Sequence, residues 1–327
     1  MTAVLEVRDL KVHFLTRRGV IAAVDGVDIT VGRGEVLGVV GESGSGKTVT
    51  GLSILGLIDP PGRIVAGSIR LDGQELVGAR EAQWRALRGR KIAMIFQDPM
   101  MTLNPVLRID TQMMETIFAH EKVPAELARQ RCRDALGRVG IPSPEERLSA
   151  YPHQFSGGMR QRVAIAIALL NNPELIIADE PTTALDVTIQ AQIVAQVQKL
   201  AAETGTAIVW VTHDLAVVSE LADRIAVMYA GRIVEEGPTV EVLNAPRHPY
   251  TRGLLSSLPA RNPRGKPLNQ IPGAAPSLLA LPPGCAFAPR CARALDICRQ
   301  VAPAETDAGH ERRLRCHNPL AAAGVAA

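Results

Sequence analysis

Residues 41–48 read Gly-Glu-Ser-Gly-Ser-Gly-Lys-Thr and fit the pattern G-x-x-x-x-G-K-[ST]. The chemistry open to such a loop is the cradling of phosphate. Gly41, Gly44 and Gly46 let the backbone approach anionic oxygens and turn successive N–H groups inward. Glu42, Ser43 and Ser45 fill the loop between them. Lys47 is placed to bridge β- and γ-phosphates, and the Thr48 hydroxyl to hold Mg²⁺.

Other residues could act on the same phosphates. Leu175-Ile-Ile-Ala-Asp179-Glu180 is an apolar run that ends in adjacent carboxylates. Asp179 suits a Mg²⁺ contact through water, and Glu180 suits polarising a water against a γ-phosphate. Neighbours on a strand point in opposite directions, so the two are expected to have separate roles. Gln97 follows the apolar run Lys91–Phe96 and can reach Mg²⁺ or the attacking water. His213, after Ala207–Thr212, can contact a γ-phosphate or cap the next helix. Phe155-Ser-Gly-Gly-Met159 opens a long helical run; Ser156 is its predicted N-cap, and Gly157 and Gly158 leave its first N–H groups open. Phe14 suits either stacking on adenine or packing in a small sheet.

The elements that must position these groups are legible as patterns. Glu35–Val40 reads as a buried strand and Val49–Leu57 as a helix, so the glycine loop sits between strand and helix, where phosphate loops occur. Residues 3–31 alternate around a turn at Thr16–Gly19, which predicts antiparallel strands, and Ser68–Leu76 alternates around Asp72-Gly73. Residues 110–148 are helical in pattern, consistent with an inserted helical subdomain. Ala184-Leu-Asp186 opens another helix, and Ile225–Val234 is a predicted hairpin about Gly231.

The chain has 327 residues, 46% hydrophobic and 21% charged, room for about two domains. A net charge of +3 is too slight to argue for nucleic acid. No apolar run reaches the ~18–20 residues that span a bilayer, and the N-terminus lacks the pattern of a signal peptide. Cys132 stands alone, while Cys285, Cys291, Cys298 and Cys316 crowd the tail. Structural disulfides are not expected.

Taken in order, the loop 41–48, Gln97, Phe155-Ser-Gly-Gly-Met159, Asp179-Glu180, Ala184-Leu-Asp186 and His213 resemble the nucleotide-binding subunit of an ATP-binding cassette (ABC) transporter. The signature reads F-S-G-G-M where L-S-G-G-Q is commoner, but Ser156 and both glycines are kept. The resemblance implies an α/β fold: an ABC-type P-loop NTPase core with an N-terminal antiparallel β subdomain, an inserted α-helical subdomain over about residues 100–170 and a small irregular Cys-containing C-terminal extension. The cassette would cover 1–240 and the extension 241–327. It also implies ATP and Mg²⁺ as ligands, hydrolysis by Glu180, and head-to-tail pairing in which Ser156, Gly157 and Gly158 serve a partner's ATP.

Gln97-Asp-Pro-Met-Met-Thr-Leu-Asn-Pro105 and His248-Pro-Tyr250-Thr-Arg-Gly-Leu-Leu255 look like the oligopeptide/dipeptide importer branch. Residues 259–289 hold eight prolines, which argues against regular structure there. In that branch the extension can hold a [4Fe–4S] cluster; the spacing Cys285-x₅-Cys291-x₆-Cys298-x₁₇-Cys316 favours a cluster over zinc, with no metal as the remaining reading. Arg290, Arg293, Arg299 and Arg315 are expected to offset the thiolate charge. The apolar loop Pro99–Pro105 is expected to receive a permease helix on Met100, Met101 and Leu103.

The resemblance implies a second ATPase subunit, identical or paralogous, two membrane permease subunits and, indirectly, a solute-binding protein. The location implied is peripheral, on the cytoplasmic face of the membrane. Peptides are the expected solute; nickel or glutathione import, or a soluble non-transport cassette protein, are the other readings.

Overall fold

The computed structural model describes residues 3–183, 185–263, 265 and 267–321. Ala184 and the side chain of Met101 lie outside the described residues. The chain divides into two compact units, one of residues up to Leu5, Thr30–Val36 and Arg70–Thr212, the other of Glu6–Ile29, Leu37–Ile69 and His213 onward.

The second unit carries most of the N-terminal strands β1 (Ala3–Thr16), β2 (Gly19–Gly32) and β4 (Gly62–Leu71), in the order β2-β1-β4, while residues 3–5, 30–32 and 70–71 at their ends belong to the first. β3 (Val36–Val40) is buried along its whole length and runs parallel to β9 (Arg224–Tyr229). An apolar strand without alternation is what burial on both faces requires. β9 turns through Ala230 and Gly231, both at positive φ, into antiparallel β10 (Arg232–Pro238). The helices of this unit are α1 (Lys47–Ile54), α8 (Leu215–Leu221), α9 (Thr239–Asn244), α10 (Pro249–Ser256) and α11 (Asp296–Gln300).

The tail is built into this unit. Its short strands β11 (Thr306–Asp307) and β12 (Arg313–Leu314) extend the sheet from β10. A register shift between Ile233 and Glu235 in β10 accompanies burial of both Glu235 and Glu236. Arg312 pairs with Glu235, and Arg313 and Arg224 pair with Glu236. Without those arginines two carboxylates would be left buried and uncompensated, at about 3–5 kcal/mol for each broken pair. The proline-rich stretch forms no helix beyond the short 3-10 turns Pro259–Arg261 and Ala288–Arg290 among its described residues.

The first unit holds parallel strands β6 (Ile92–Ile95), β7 (Leu175–Asp179) and β8 (Ala207–Thr212), with β7 in the middle. β5 (Gln74–Glu75) pairs with the end of β4 around Asp72-Gly73. The helices are α2 (Glu81–Leu87), α3 (Ile109–Phe118), α4 (Ala125–Arg138), α5 (Pro144–Leu148), α6 (Gly157–Leu169) and α7 (Val187–Thr204). Ile109, Met113, Ile117, Ala128, Leu136 and Leu148 bury the facing stripes of α3, α4 and α5. Buried Asp110 accepts from Arg108 and, at 2.8 Å, from Arg129, which ties α3 to α4. Cys132 is fully buried and packs as a small apolar side chain; desolvation pushes its thiol up to about 12.

Candidate functional site

The phosphate loop leaves β3 at Val40 and enters α1 at Lys47. Two of its glycines are required by crowding: a Cβ on Gly41 would meet the Met228 carbonyl oxygen at 2.2 Å, and one on Gly46 the Ala23 carbonyl oxygen at 2.4 Å. Gly46 occupies the N-cap with φ 104° and has no side chain to cap α1, so helix N–H groups face the loop. Ser45 is buried with its Oγ unpaired, a polar atom aimed into a loop made for oxygen-rich ligands. Lys47 is 5% exposed and its ammonium donates to the carbonyls of Gly41 at 2.8 Å and Glu42 at 3.0 Å. Thr48 is exposed. Phe14 is half-buried, its ring lying over Gly62.

Glu42 is held by residues far away in sequence. Its N–H donates to the Tyr250 hydroxyl at 2.9 Å, and its carboxylate accepts both terminal nitrogens of Arg290, at 2.7 and 3.0 Å. His213 is exposed and does not cap α8; Asp214 does, accepting from the Ala216 N–H at 2.8 Å.

In the first unit β7 delivers Asp179, buried, at its last position. Glu180 lies beyond the strand with φ 45°, and its N–H donates to the Val211 carbonyl at 2.8 Å. The two carboxylates therefore part company because the backbone turns left-handed at Glu180, not through strand alternation as the sequence suggested. Gln97 Nε2 donates to Glu180 Oε2 at 3.4 Å, and the Thr183 hydroxyl donates to the same oxygen at 3.0 Å. Ser156 caps α6, accepting from the Met159 N–H, with Gly157 in open space. A Cβ on Gly158 would meet Ile189 at 2.9 Å. This helix start opens on a concavity of about 690 Å³ that Asp186, the N-cap of α7, also lines.

The tail cysteines Cys285, Cys291, Cys298 and Cys316 all line one small pocket, and none is in a disulfide. Backbone N–H groups reach their sulfurs: Phe287 and Ala288 to Cys285, Arg293 to Cys291, Asn318 to Cys316. Burial raises the Cys285 and Cys291 thiols and pushes Cys316 up to about 11. No group of three or more His, Cys, Asp or Glu side chains among the described residues is arranged to hold a metal ion. Of the arginines expected to offset thiolate charge, Arg293 lines the pocket, Arg290 is committed to Glu42, and Arg315 donates to Gly26 and Glu305. The loop Pro99–Pro105 also departs from expectation: Leu103 is 2% exposed and packs inward, so it offers no surface to a partner, whereas Met100 is exposed.

Residues 24–183 match the family model described as ABC transporter, and residues 234–298 match that of the oligopeptide/dipeptide transporter, C-terminal region. The dipeptide transport ATP-binding protein DppD of Escherichia coli (strain K12) is 48% identical over 322 residues, covering 98% of each chain. The chain belongs to the ATP-binding cassette transporter family.

Within that family, the oligopeptide transport ATP-binding protein OppD of Bacillus subtilis (strain 168) is 50% identical over 91% of this chain and 84% of its own. The cassette fold is shared with MJ0796 in a dimeric post-hydrolysis state bound to ADP and Pi, with a TM-score of 0.65 and 29% identity over 72% of this chain and 98% of that one. The cassette is an ABC-type ATPase of the oligopeptide/dipeptide branch. Three residues that sequence reasoning did not assign to the cassette's site touch its loops: Thr183, Tyr250 and Arg290. Thr183 carried a local signal, standing three positions after Glu180. For Tyr250 and Arg290 no local pattern pointed to Glu42.

Proposed function

We propose that this ATPase powers the uptake of peptides through a membrane permease, paired with a second cassette. The observation that carries the hydrolytic reading is Glu180, turned out of its strand and held through one oxygen by Gln97 and Thr183. A carboxylate oriented in this way is the kind of group that accepts a proton from water. Lys47 and the N–H groups of the loop would hold the β- and γ-phosphates, and His213 the γ-phosphate. Thr48, Gln97 and Asp179 offer hydroxyl, amide and carboxylate oxygens, the donor set that Mg²⁺ takes, and the metal would supply charge neutralisation on the phosphate oxygens. Ser156, Gly157 and Gly158 would serve the partner cassette's ATP, and Phe14 the adenine.

The peptide reading rests on the branch-specific C-terminal match and on relatives of nearly equal length whose names state dipeptide or oligopeptide transport. On this reading residues 1–240 act as the cassette and 241–327 as the extension. No helix among the described residues is long and apolar enough to cross a membrane, so attachment to the cytoplasmic face would run through two permease subunits. A solute-binding protein would deliver the peptide. The tail thiols, gathered around one pocket and supplied with N–H donors, are the donor chemistry of a [4Fe–4S] cluster, with zinc as the second reading.

The test is reconstitution. Native-membrane purification of the tagged chain should bring down a permease pair, and vesicles holding that complex should take up a labelled peptide only with ATP. Lys47→Ala should abolish uptake and weaken ATP binding by about tenfold or more, the scale of lost charge-assisted contacts. A complex that hydrolyses ATP but moves no peptide would overturn the solute assignment.

A further inference from the structure

The residue through which the tail meets the phosphate loop is Glu42, and every polar group it owns is engaged. Its N–H goes to the Tyr250 hydroxyl, its carboxylate to the Arg290 fork, and its carbonyl accepts the Lys47 ammonium. Arg290 is 8% exposed, and it also donates to the Tyr229 hydroxyl at 3.2 Å and, through Nε, to the Pro272 carbonyl at 2.9 Å. Tyr250 is wholly buried. The rings of Tyr229, Tyr250 and Phe287 pack with centroids 4.6–5.4 Å apart and fix both hydroxyls.

We propose that Arg290 and Tyr250 are positioning residues for ATP binding, and that the C-terminal extension thereby pre-shapes the phosphate loop. The proposal rests on the ATPase reading and extends it to residues outside the cassette motifs. A loop with three glycines in eight positions has many backbone states, and ordering each residue costs about 1–2 kcal/mol. A clamp that fixes the loop before nucleotide arrives removes part of that cost from binding. An exposed ion pair would do little of this, because water screens it and its side chains remain free. Here the guanidinium is buried, forked and locked by four contacts, and it ends on the loop rather than on the core. Arg290 also directly precedes Cys291, within the turn Ala288–Arg290, so one short segment faces the cysteine pocket and the loop at once.

The experiment measures ATP affinity of the full-length chain with a fluorescent ATP analogue, then KM and kcat in the assembled transporter. Arg290→Ala should weaken binding ~5- to 30-fold, a part of what a charge-assisted hydrogen-bonded pair contributes, because the pair acts on ATP through the loop. Arg290→Lys, with charge but no fork, should fall between it and wild type. KM for ATP should rise in step while kcat stays within about twofold, because Glu180 is untouched. Glu42→Ala should reproduce the loss, and the Glu42→Ala/Arg290→Ala pair should lose no more than either alone. Tyr250→Phe, which removes one hydroxyl, should weaken binding less and serves if Arg290→Ala does not fold. Wild-type affinity in Glu42→Ala and Tyr250→Phe, or losses that simply add in the double variant, would overturn the inference alone. Failure of the wild-type chain to bind ATP would overturn the ATPase reading and this inference together.

Discussion

Gln97 and Glu180, 83 residues apart, meet side chain to side chain at 3.4 Å, and Thr183 completes the grip on the same carboxylate oxygen. The two contacts fix the orientation of the carboxylate, which is what proton abstraction from water would demand of it. The glutamine is exposed and the glutamate half-buried, so the pair lies at a surface that a second body can cover.

Replacing Glu180 by Gln should leave ATP affinity within about twofold and lower turnover in the assembled complex by ~10²–10⁴, the usual contribution of a general base. Thr183→Ala should cost less, about tenfold or below, because Gln97 still orients the carboxylate. Single-turnover hydrolysis separates the two. Wild-type turnover by the Glu180 variant would remove it from the chemistry.

Ser156 is exposed at the start of α6, so a large side chain there can be tolerated by the fold. Ser156→Arg should therefore keep its melting temperature and its ATP affinity as an isolated chain. In a Glu180→Gln background, size-exclusion chromatography should show an ATP-dependent pair with Ser156 in place and none with Ser156→Arg. Loss of ATP affinity in the isolated chain would mean that the signature acts on its own nucleotide.

The cysteine pocket gives a compositional prediction. Anaerobically purified protein should carry about four irons with acid-labile sulfide, absorb broadly near ~400 nm, and lose both on Cys291→Ser or Cys316→Ser. Burial raises the Cys285, Cys291 and Cys316 thiols, and a bound cation would favour their ionised form. Stoichiometric zinc would replace the cluster reading. Free alkylation of all four thiols in freshly prepared native protein would remove any metal.

His248 is buried and its Nδ1 accepts the Tyr250 N–H at 3.0 Å; burial lowers its pKa from 6.5 to about 3. The folded value is depressed, so the unfolded chain takes up the proton first. The contribution to stability is complete above about pH 6.5 and is lost as pH falls toward 3. Between pH 7 and pH 5 that one group should cost about 2 kcal/mol. Urea unfolding at the two pH values should show this slope in the wild type. His248→Asn, which keeps an acceptor for the helix start but does not titrate, should lack it; equal slopes would assign the acid sensitivity elsewhere.

Much of this protein is written locally. The phosphate loop, the capped signature helix, the carboxylates at a strand end and the hairpin at Gly231 each depend on contiguous residues whose backbone geometry leaves few options, so their spacing suffices to place them. The strands fell where alternation or apolar runs put them for the same reason. What the tertiary structure decided are the relations between distant segments. Arg290 looked like a counter-charge for its neighbouring thiols, yet it reaches Glu42 across 248 positions. Leu103 looked like a surface anchor and is buried. Glu180 looked like the next residue of a strand and is turned out of it with φ 45°. A charge or an apolar side chain is satisfied by whichever partner packing brings near, and a turn is set by the bonds its backbone can make, such as that from Glu180 to Val211. Those partners come together only when the chain has folded, so no spacing along the sequence encodes them.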